Sequence, residues 1–345
     1  MKSLHTTQSD CAPMIRNTES TSFSRSILKL GAGLMIAVAM AATSHAQTIL
    51  VADPNGTNGV SSYSMNGTLI NSSLIPGTTY EGLALSGSTL YVANPGPGTV
   101  NNALVGKYTL DGTGGVSSSN SYFVNGGYLQ APFGLAVTAT NLFIADFNSS
   151  NVLKYGLGGN QIASVWAGLF NPYGLAVSPD GTILWVSETT GAGANTINGY
   201  SIGTSTGAFG NGGVPTITIT SGLNQPHGLA VSGNTLYVAN GGNGTISSFN
   251  ATTGTSNGVL VSGLTGPQGI TVFGSSLFVT GSDGTVKGFD ASTGLALAGF
   301  TTITGLSSPY GIVVTEVPEP ATFAALAGAT ILGFAALKRR RRVIV

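Results

Sequence analysis

Between Gln47 and Val317 this chain has a single histidine, His227, and it stands in the triplet Pro-His-Gly. The same slot, the residue before a glycine, recurs as Glu81, Phe133, Tyr173, Gln268 and Tyr310. A second series closes short apolar runs of the type LYVAN: Asp53, Asn94, Asp146, Glu188, Asn240 and, less regularly, Ser282 or Asp283. Three kinds of chemistry suit these types. His227 beside Glu81 or Glu188 makes a general acid–base pair. Asp53, Asp146 and Glu188 carry the oxygen ligands that Ca2+ or Mg2+ takes. Phe133, Tyr173 and Tyr310 offer ring faces to a sugar, with Glu81, His227 and Gln268 to hydrogen-bond it. Each has a plain competitor: Asp and Asn suit turns at strand ends, and bulky residues before a glycine serve to plug a channel.

What must position these residues is a repeat. One copy reads QPHGLAVSGNTLYVANGGNGTISSFNATTG (225–254), another GPQGITVFGSSLFVTGSDGTVKGFDASTG (266–294). Others begin APFGLAV at Ala131, NPYGLAV at Asn171 and, more loosely, TYEGLAL at Thr79. Each predicts an apolar strand after the glycine, a tight turn, a second strand, another turn, an alternating third strand and a variable fourth stretch. The first two strands are apolar on both faces, as in sheets stacked between neighbours, and the 3.6-residue period of helices is missing. The opening glycines are Gly82, Gly134, Gly174, Gly228, Gly269 and Gly311, and the second strands start near Ile49, Leu90, Leu142, Leu184, Leu236 and Leu277. The series begins with a second strand, TILVAD (48–53), and ends with a first strand, PYGIVV (309–314). These halves complete one another. The fold class expected for residues 47–316 is an all-β, six-bladed β-propeller whose ring is closed by N- and C-terminal strands in one blade.

Composition narrows the function. Glycine accounts for 52 of 345 residues and charged residues for only 7%, against a usual quarter of a chain. Between Gln47 and Val317 three lysines face nine acids, a net charge of −6, and no arginine occurs there. Nucleic acid is therefore excluded as a partner, because phosphates need Lys and Arg. The only cysteine, Cys11, precedes the body, which removes thiol catalysis and Cys-metal sites from it. The glycine runs GTGG (112–115) and GGNG (241–244) lack the Lys-Ser/Thr of a phosphate loop. No Gly-x-Ser-x-Gly elbow stands in a strand-turn-helix context.

The pattern Pro-x-Gly-[Leu/Ile]-x-Val followed by Leu-[Tyr/Phe]-Val resembles the NHL-repeat propellers and the related virginiamycin B lyase-like ones, over about 48–315. In lyase and lactonase propellers of this kind, such acids hold a divalent ion and a nearby His or acid moves a proton. The resemblance thus implies Glu81, His227 and Glu188 as working groups of a metal-dependent enzyme. The amidating-lyase propellers use several zinc-binding histidines, which one His227 cannot supply. The leading expectation is non-enzymatic: binding of carbohydrate or another envelope component at the channel mouth. The lyase or lactonase and a purely structural matrix protein are the alternatives.

Two flanking segments predict where the body goes. Arg25 and Lys29 precede the apolar run LGAGLMIAVAMAAT and then SHAQ, the layout of a secretory signal peptide over 1–46 that engages the Sec machinery; Met14 is an alternative start. At the other end, residues 317–345 read VPEPATFAALAGATILGFAALKRRRRVIV. The uncharged stretch Ala321 to Leu337 is just long enough for a membrane-spanning helix, and Lys338 with Arg339, Arg340, Arg341 and Arg342 fixes its end inside. Pro318-Glu319-Pro320, a short apolar helix and a terminal arginine cluster resemble the PEP-CTERM sorting signal. That implies processing by an exosortase, a transient stay in the inner membrane, and release to the surface or exopolysaccharide matrix of a Gram-negative bacterium.

Overall fold

Short β-rich runs split by Gly, Asn and Asp fold here as hairpins stacked in a ring. The computed structural model describes residues 47–96, 103–111, 115–125, 129–165, 169–190, 195–203 and 213–316. The expected signal helix and the sorting helix, with Pro318 to Pro320 and the arginine cluster, lie outside the described residues.

Six antiparallel sheets make up the body, and among the described residues there is no α-helix. Blade 1 contains β1 (Gln47–Asp53), β2 (Gly59–Ser64) and β3 (Leu69–Ile75). Blade 2 is β4 (Leu83–Ser86), β5 (Thr89–Asn94), β6 (Leu104–Leu110) and β7 (Val116–Asn125). Blade 3 is β8 (Pro132–Val137), β9 (Asn141–Asp146), β10 (Asn151–Gly156) and β11 (Gln161–Val165). Blade 4 follows with β12 (Pro172–Val177), β13 (Ile183–Glu188), β14 (Thr196–Ser201) and β15 (Ile217–Ile219). Blade 5 has β16 (Pro226–Ser232), β17 (Thr235–Asn240), β18 (Thr245–Asn250) and β19 (Ser256–Val261), and blade 6 has β20 (Pro267–Phe273), β21 (Ser276–Gly281) and β22 (Thr285–Asp290). The last strand, β23 (Ile312–Glu316), returns to blade 1 and pairs antiparallel with β1, from Val51↔Ile312 to Gln47↔Glu316. The predicted ring closure is thus the observed one.

The expected fourth stretch is a strand in blades 1 to 5. In blade 6 it is not: the chain after β22 forms no ladder with it, but isolated bridges at Phe289↔Ala296 and Val286↔Ile303 and single backbone hydrogen bonds such as Leu297 N–H to the Gly288 carbonyl. The composition of 295–306, with glycines at 299 and 305 both at positive φ, breaks the run that a regular ladder needs.

The core is not one mass but six interblade seams. Blades 2 and 3, for example, share Tyr91, Ala93 and Val105 with Leu142, Ile144 and Leu153, and blades 6 and 1 share Phe278, Val286 and Ile303 with Ile49, Val51 and Ile312. Strands such as β9, LFIAD after its first residue, are buried on both faces because each face meets a different neighbour. Near the axis the seams become backbone-tight. A Cβ placed on Gly82, Gly134, Gly174, Gly228, Gly269 or Gly311 would fall 1.8 to 2.5 Å from the carbonyl oxygen of Phe133, Tyr173, His227, Gln268, Tyr310 or Glu81 respectively. In every blade the glycine abuts the carbonyl of the residue preceding the next blade's glycine. No side chain fits there, which is why the repeat is read as x-Gly and why the x residues are held at fixed spacing around the axis.

Candidate functional site at the propeller hub

The residue before each opening glycine is aimed by a bulge. In blade 3 Pro132 pairs with Asp146 and Leu135 with Ile144, so the innermost strand carries one extra residue between those pairs. The same shift occurs at Pro172/Leu175, Pro226/Leu229 and Pro267/Ile270. A bulge re-aims a side chain out of the pleat, here into the axis. In blade 4 the gap is bridged by Ser187: Gly174 N–H donates to its Oγ at 2.8 Å, and the hydroxyl donates to the His227 carbonyl of blade 5 at 2.7 Å. Thr280 repeats this between Gly269 and Tyr310.

The structure brings the predicted ring together, and its rings stack on one another. Tyr173 lies at the centre, 4.5 Å from His227 and 5.1 Å from Phe133 in stacked arrangements, and 5.1 Å edge-on from Tyr310. Tyr310 belongs to blade 1 and Tyr173 to blade 4, so their contact spans the axis. Phe133 and Tyr310 also meet, at 5.8 Å. Sequence reasoning missed Phe147, which packs on Phe133 at 5.3 Å and on Tyr173 at 5.9 Å. The available signal was its place directly after the strand-ending Asp146. At that position blade 5 has Gly241, and a Cβ there would stand 2.5 Å from His227 Cε1, so one blade adds a ring where another clears space for an imidazole. Gln268 donates to Ser308 Oγ at the edge of this group, at 3.5 Å.

Burial sets the electrostatics. Desolvation pushes the Glu81 carboxyl up to about 8, so it is mostly protonated at neutral pH. Burial also lowers His227, against an opposing contact with the Pro267 carbonyl, and keeps the imidazole neutral. Tyr173 is raised by burial and then by the charge of Glu81. Three polar atoms of the hub, Glu81 Oε2, His227 Nδ1 and Tyr310 Oη, are buried and have no hydrogen-bond partner.

The second predicted series does different work. Asp53 accepts the N–H groups of Ser307 and Ser308 at 2.8 and 2.9 Å, and Asp146 accepts those of Gln130 and Ala131, with Ser149 Oγ donating to it at 2.7 Å. Glu188 accepts Phe170 N–H at 2.8 Å and the Asn198 amide at 2.6 Å, and Asn240 accepts Asn224 N–H at 3.0 Å. Asn94 takes the Thr79 hydroxyl at 2.7 Å. Each side chain clamps the loop that leads into the innermost strand of its own blade. Two clamped loops turn on a left-handed residue, Asn171 (φ 52) or Gln225 (φ 49), and there one loop N–H is taken; where the corresponding Ala131 and Ser308 are not left-handed, two consecutive N–H groups are. Thr79 (φ 67) is a β-branched residue in the same strained region, held through its hydroxyl.

These oxygens face backbone donors rather than one another, so the metal ligands expected at Asp53, Asp146 and Glu188 do not converge. Among the described residues no three of His, Cys, Asp and Glu come close enough to share an ion. Glu188 has its oxygens on Phe170 and Asn198. In blade 6 the position expected at Ser282 or Asp283 is Gly281, which pairs with Pro267 as Asp146 pairs with Pro132. Asp283 instead accepts from Thr285 Oγ1 at 2.6 Å and pairs with Lys287 at 3.4 Å.

Residues 223–249 match the NHL repeat. The stretch runs from the entry loop of blade 5 through β16 and β17 into β18, and it contains His227 and its clamp Asn240. Among solved structures, a chain from "Crystal structure of Nidogen/Laminin Complex" superposes with a TM-score of 0.62 at 17% identity, covering 78% of this chain and 98% of that one. That likeness, like the NHL match, concerns the fold. Comparison with curated proteins finds no match.

Proposed function

We propose that this protein is a binding propeller that takes a carbohydrate or related envelope component at its hub. The observation that carries the reading is the grouping, on one rigid ring, of part-exposed aromatic faces with three unpartnered polar atoms. Aromatic bodies with few placed polar groups are what ligand sites are made of, and buried polar atoms without partners are rare in folded proteins. The sequence at either end supports delivery by Sec, passage through the inner membrane, and exosortase processing at Pro318-Glu319-Pro320, with the cell surface or exopolysaccharide matrix as destination. A glycan array read with the wild type and with Tyr173→Ala and Phe133→Ala tests it. Binding that is lost in both variants supports the reading, and binding that survives both places the site elsewhere.

A second reading has one observation in its favour. A protonated Glu81 and a neutral His227 on the same ring are the forms that a general acid and a general base take. On that reading the protein is a lyase or lactonase, and Ca2+ or Mg2+ would need ligands beyond Asp53, Asp146 and Glu188 as they stand. Turnover of a lactone or uronate substrate that is abolished by Glu81→Gln, while binding persists, would favour it.

A further inference from the structure

Five buried side-chain atoms among the described residues lack a hydrogen-bond partner: Ser62 Oγ, Trp185 Nε1, Glu81 Oε2, His227 Nδ1 and Tyr310 Oη. Three of the five sit on the hub ring, although the ring supplies only six positions of the chain. Leaving such an atom unsatisfied forfeits the hydrogen bond it made to water in the unfolded chain. Concentrating them in one place therefore marks somewhere that another molecule completes the bonding.

The chemistry of the three atoms says what kind of molecule. Tyr310, only 8% exposed, has a hydroxyl that both donates and accepts. His227 Nδ1 has no partner, and burial keeps the imidazole neutral, so this nitrogen either donates or accepts one hydrogen bond. Glu81 is held in its acid form by burial, so its carboxyl brings an O–H to donate. No lysine or arginine occupies any of the six ring positions. An anion would find no countercharge here and would lose its hydration. An ammonium ion, which only donates, would leave the Tyr310 and Glu81 hydrogens without acceptors. A hydroxyl group donates and accepts, and a ring bearing several answers all three atoms while its apolar face lies on the half-buried Phe133.

We propose that the hub selects an uncharged, polyhydroxylated ring, a neutral hexose unit of a glycan, whose hydroxyls complete the bonding of Glu81, His227 and Tyr310. This rests on the hub being the binding site. The groups around Glu81 are consistent with it: Tyr173 feels its charge, Tyr310 and His227 are the other ionisable groups of the ring, and burial alone accounts for the state of Glu81.

Three oligosaccharide probes of matched length decide the matter by titration calorimetry on the full chain: a neutral glucose tetramer, a galacturonate tetramer and a fully deacetylated chitosan tetramer. The neutral probe should bind, at least tenfold more tightly than either charged one. Its affinity should fall at least fivefold between pH 6.5 and 9 in the wild type. In Glu81→Gln, whose amide donates at every pH, it should stay level, and Tyr310→Phe should weaken it severalfold. If a charged probe binds better and Tyr310→Phe weakens that binding, the neutral-ligand proposal is overturned while the hub remains the site. If no probe binds, or binding ignores Tyr310→Phe and Glu81→Gln alike, the hub reading itself fails along with it.

Discussion

Gly311, in the turn into the last strand, lies against the Glu81 carbonyl so closely that a Cβ on it would come within 2.2 Å of the oxygen. This contact joins the last innermost strand to the first, and it involves backbone atoms that cannot rotate away. Gly311→Ala should therefore cost about 3 kcal/mol, the upper part of what overpacking usually costs. Gly233→Ala is the natural comparison. Gly233 has φ +54 and open space around it, so an alanine there meets only the left-handed penalty, about 1 kcal/mol. Chemical denaturation of both variants tests the pair. Equal losses would mean that the axial contact is not tight.

The clamps give a second prediction. Asp146 is fully buried and accepts from two consecutive backbone N–H groups and a serine hydroxyl. Asp146→Ala leaves those N–H groups bare and should cost about 2–4 kcal/mol. Asp146→Asn keeps one accepting oxygen, as Asn240 does in blade 5, and should cost about 1 kcal/mol. Neither should bind Ca2+ or Mg2+ differently from the wild type. A melting temperature that rises with added Ca2+ in the wild type but not in Asp146→Asn would show that the carboxylate serves an ion as well as the loop.

Much of this was legible in the residues. The repeat fixes six blades because Gly82 to Gly311 must be glycine for steric reasons, and sterics leave a sequence mark. The hub ring followed from the same register, because the residue before a backbone-tight glycine has nowhere to point but the axis. Two things were not legible. The strand-ending acids look like ion ligands by type, but whether their oxygens meet each other or a backbone N–H depends on entry loops such as 222–225, whose left-handed turn at Gln225 no composition reveals. The blade 6 position was misplaced because Asp283 follows Gly281 closely, and only the pairing of Gly281 with Pro267 shows which residue is the equivalent.

Stability should depend on pH through the hub. The Glu81 carboxyl has its folded value raised to about 8 from an ordinary 4.5, so the folded state holds a proton that the unfolded state has released between those values. Stability is then highest below about pH 5 and falls as pH rises toward 8. Glu188, also raised by burial, acts in the same direction. His227 works oppositely: its lowered value means that the unfolded state takes up a proton first, so its contribution is lost as pH falls below 6.5. Thermal melting across pH 5 to 9 should show a decline on the alkaline side that Glu81→Gln largely removes. A Glu81→Gln curve parallel to that of the wild type would show that Glu81 is not the group responsible.

The ring closure can be tested by removing it. A chain ended at Ser308 lacks β23 and so uncovers Ile49, Leu50 and Val51, which are at most 1% exposed, along with the backbone edge of β1. It also frees Ser307 and Ser308, which Asp53 holds as the lead into that strand, and it deletes both Tyr310 and the Gly311 contact. Burying each of those three side chains contributes about 1.5–3 kcal/mol, and the exposed strand edge adds unpaired N–H and C=O groups. Together these losses approach the whole stability of an ordinary domain, about 5–15 kcal/mol. The shorter chain should show no cooperative melt and should bind a hydrophobic dye, whereas a chain ended at Glu316 should melt sharply. Adding the peptide PYGIVVTE, residues 309–316, should restore part of the transition in a concentration-dependent way, because binding that is linked to folding shifts stability by mass action. A shorter chain that melts as sharply and at the same temperature as the longer one would mean that β23 does not close the ring in solution.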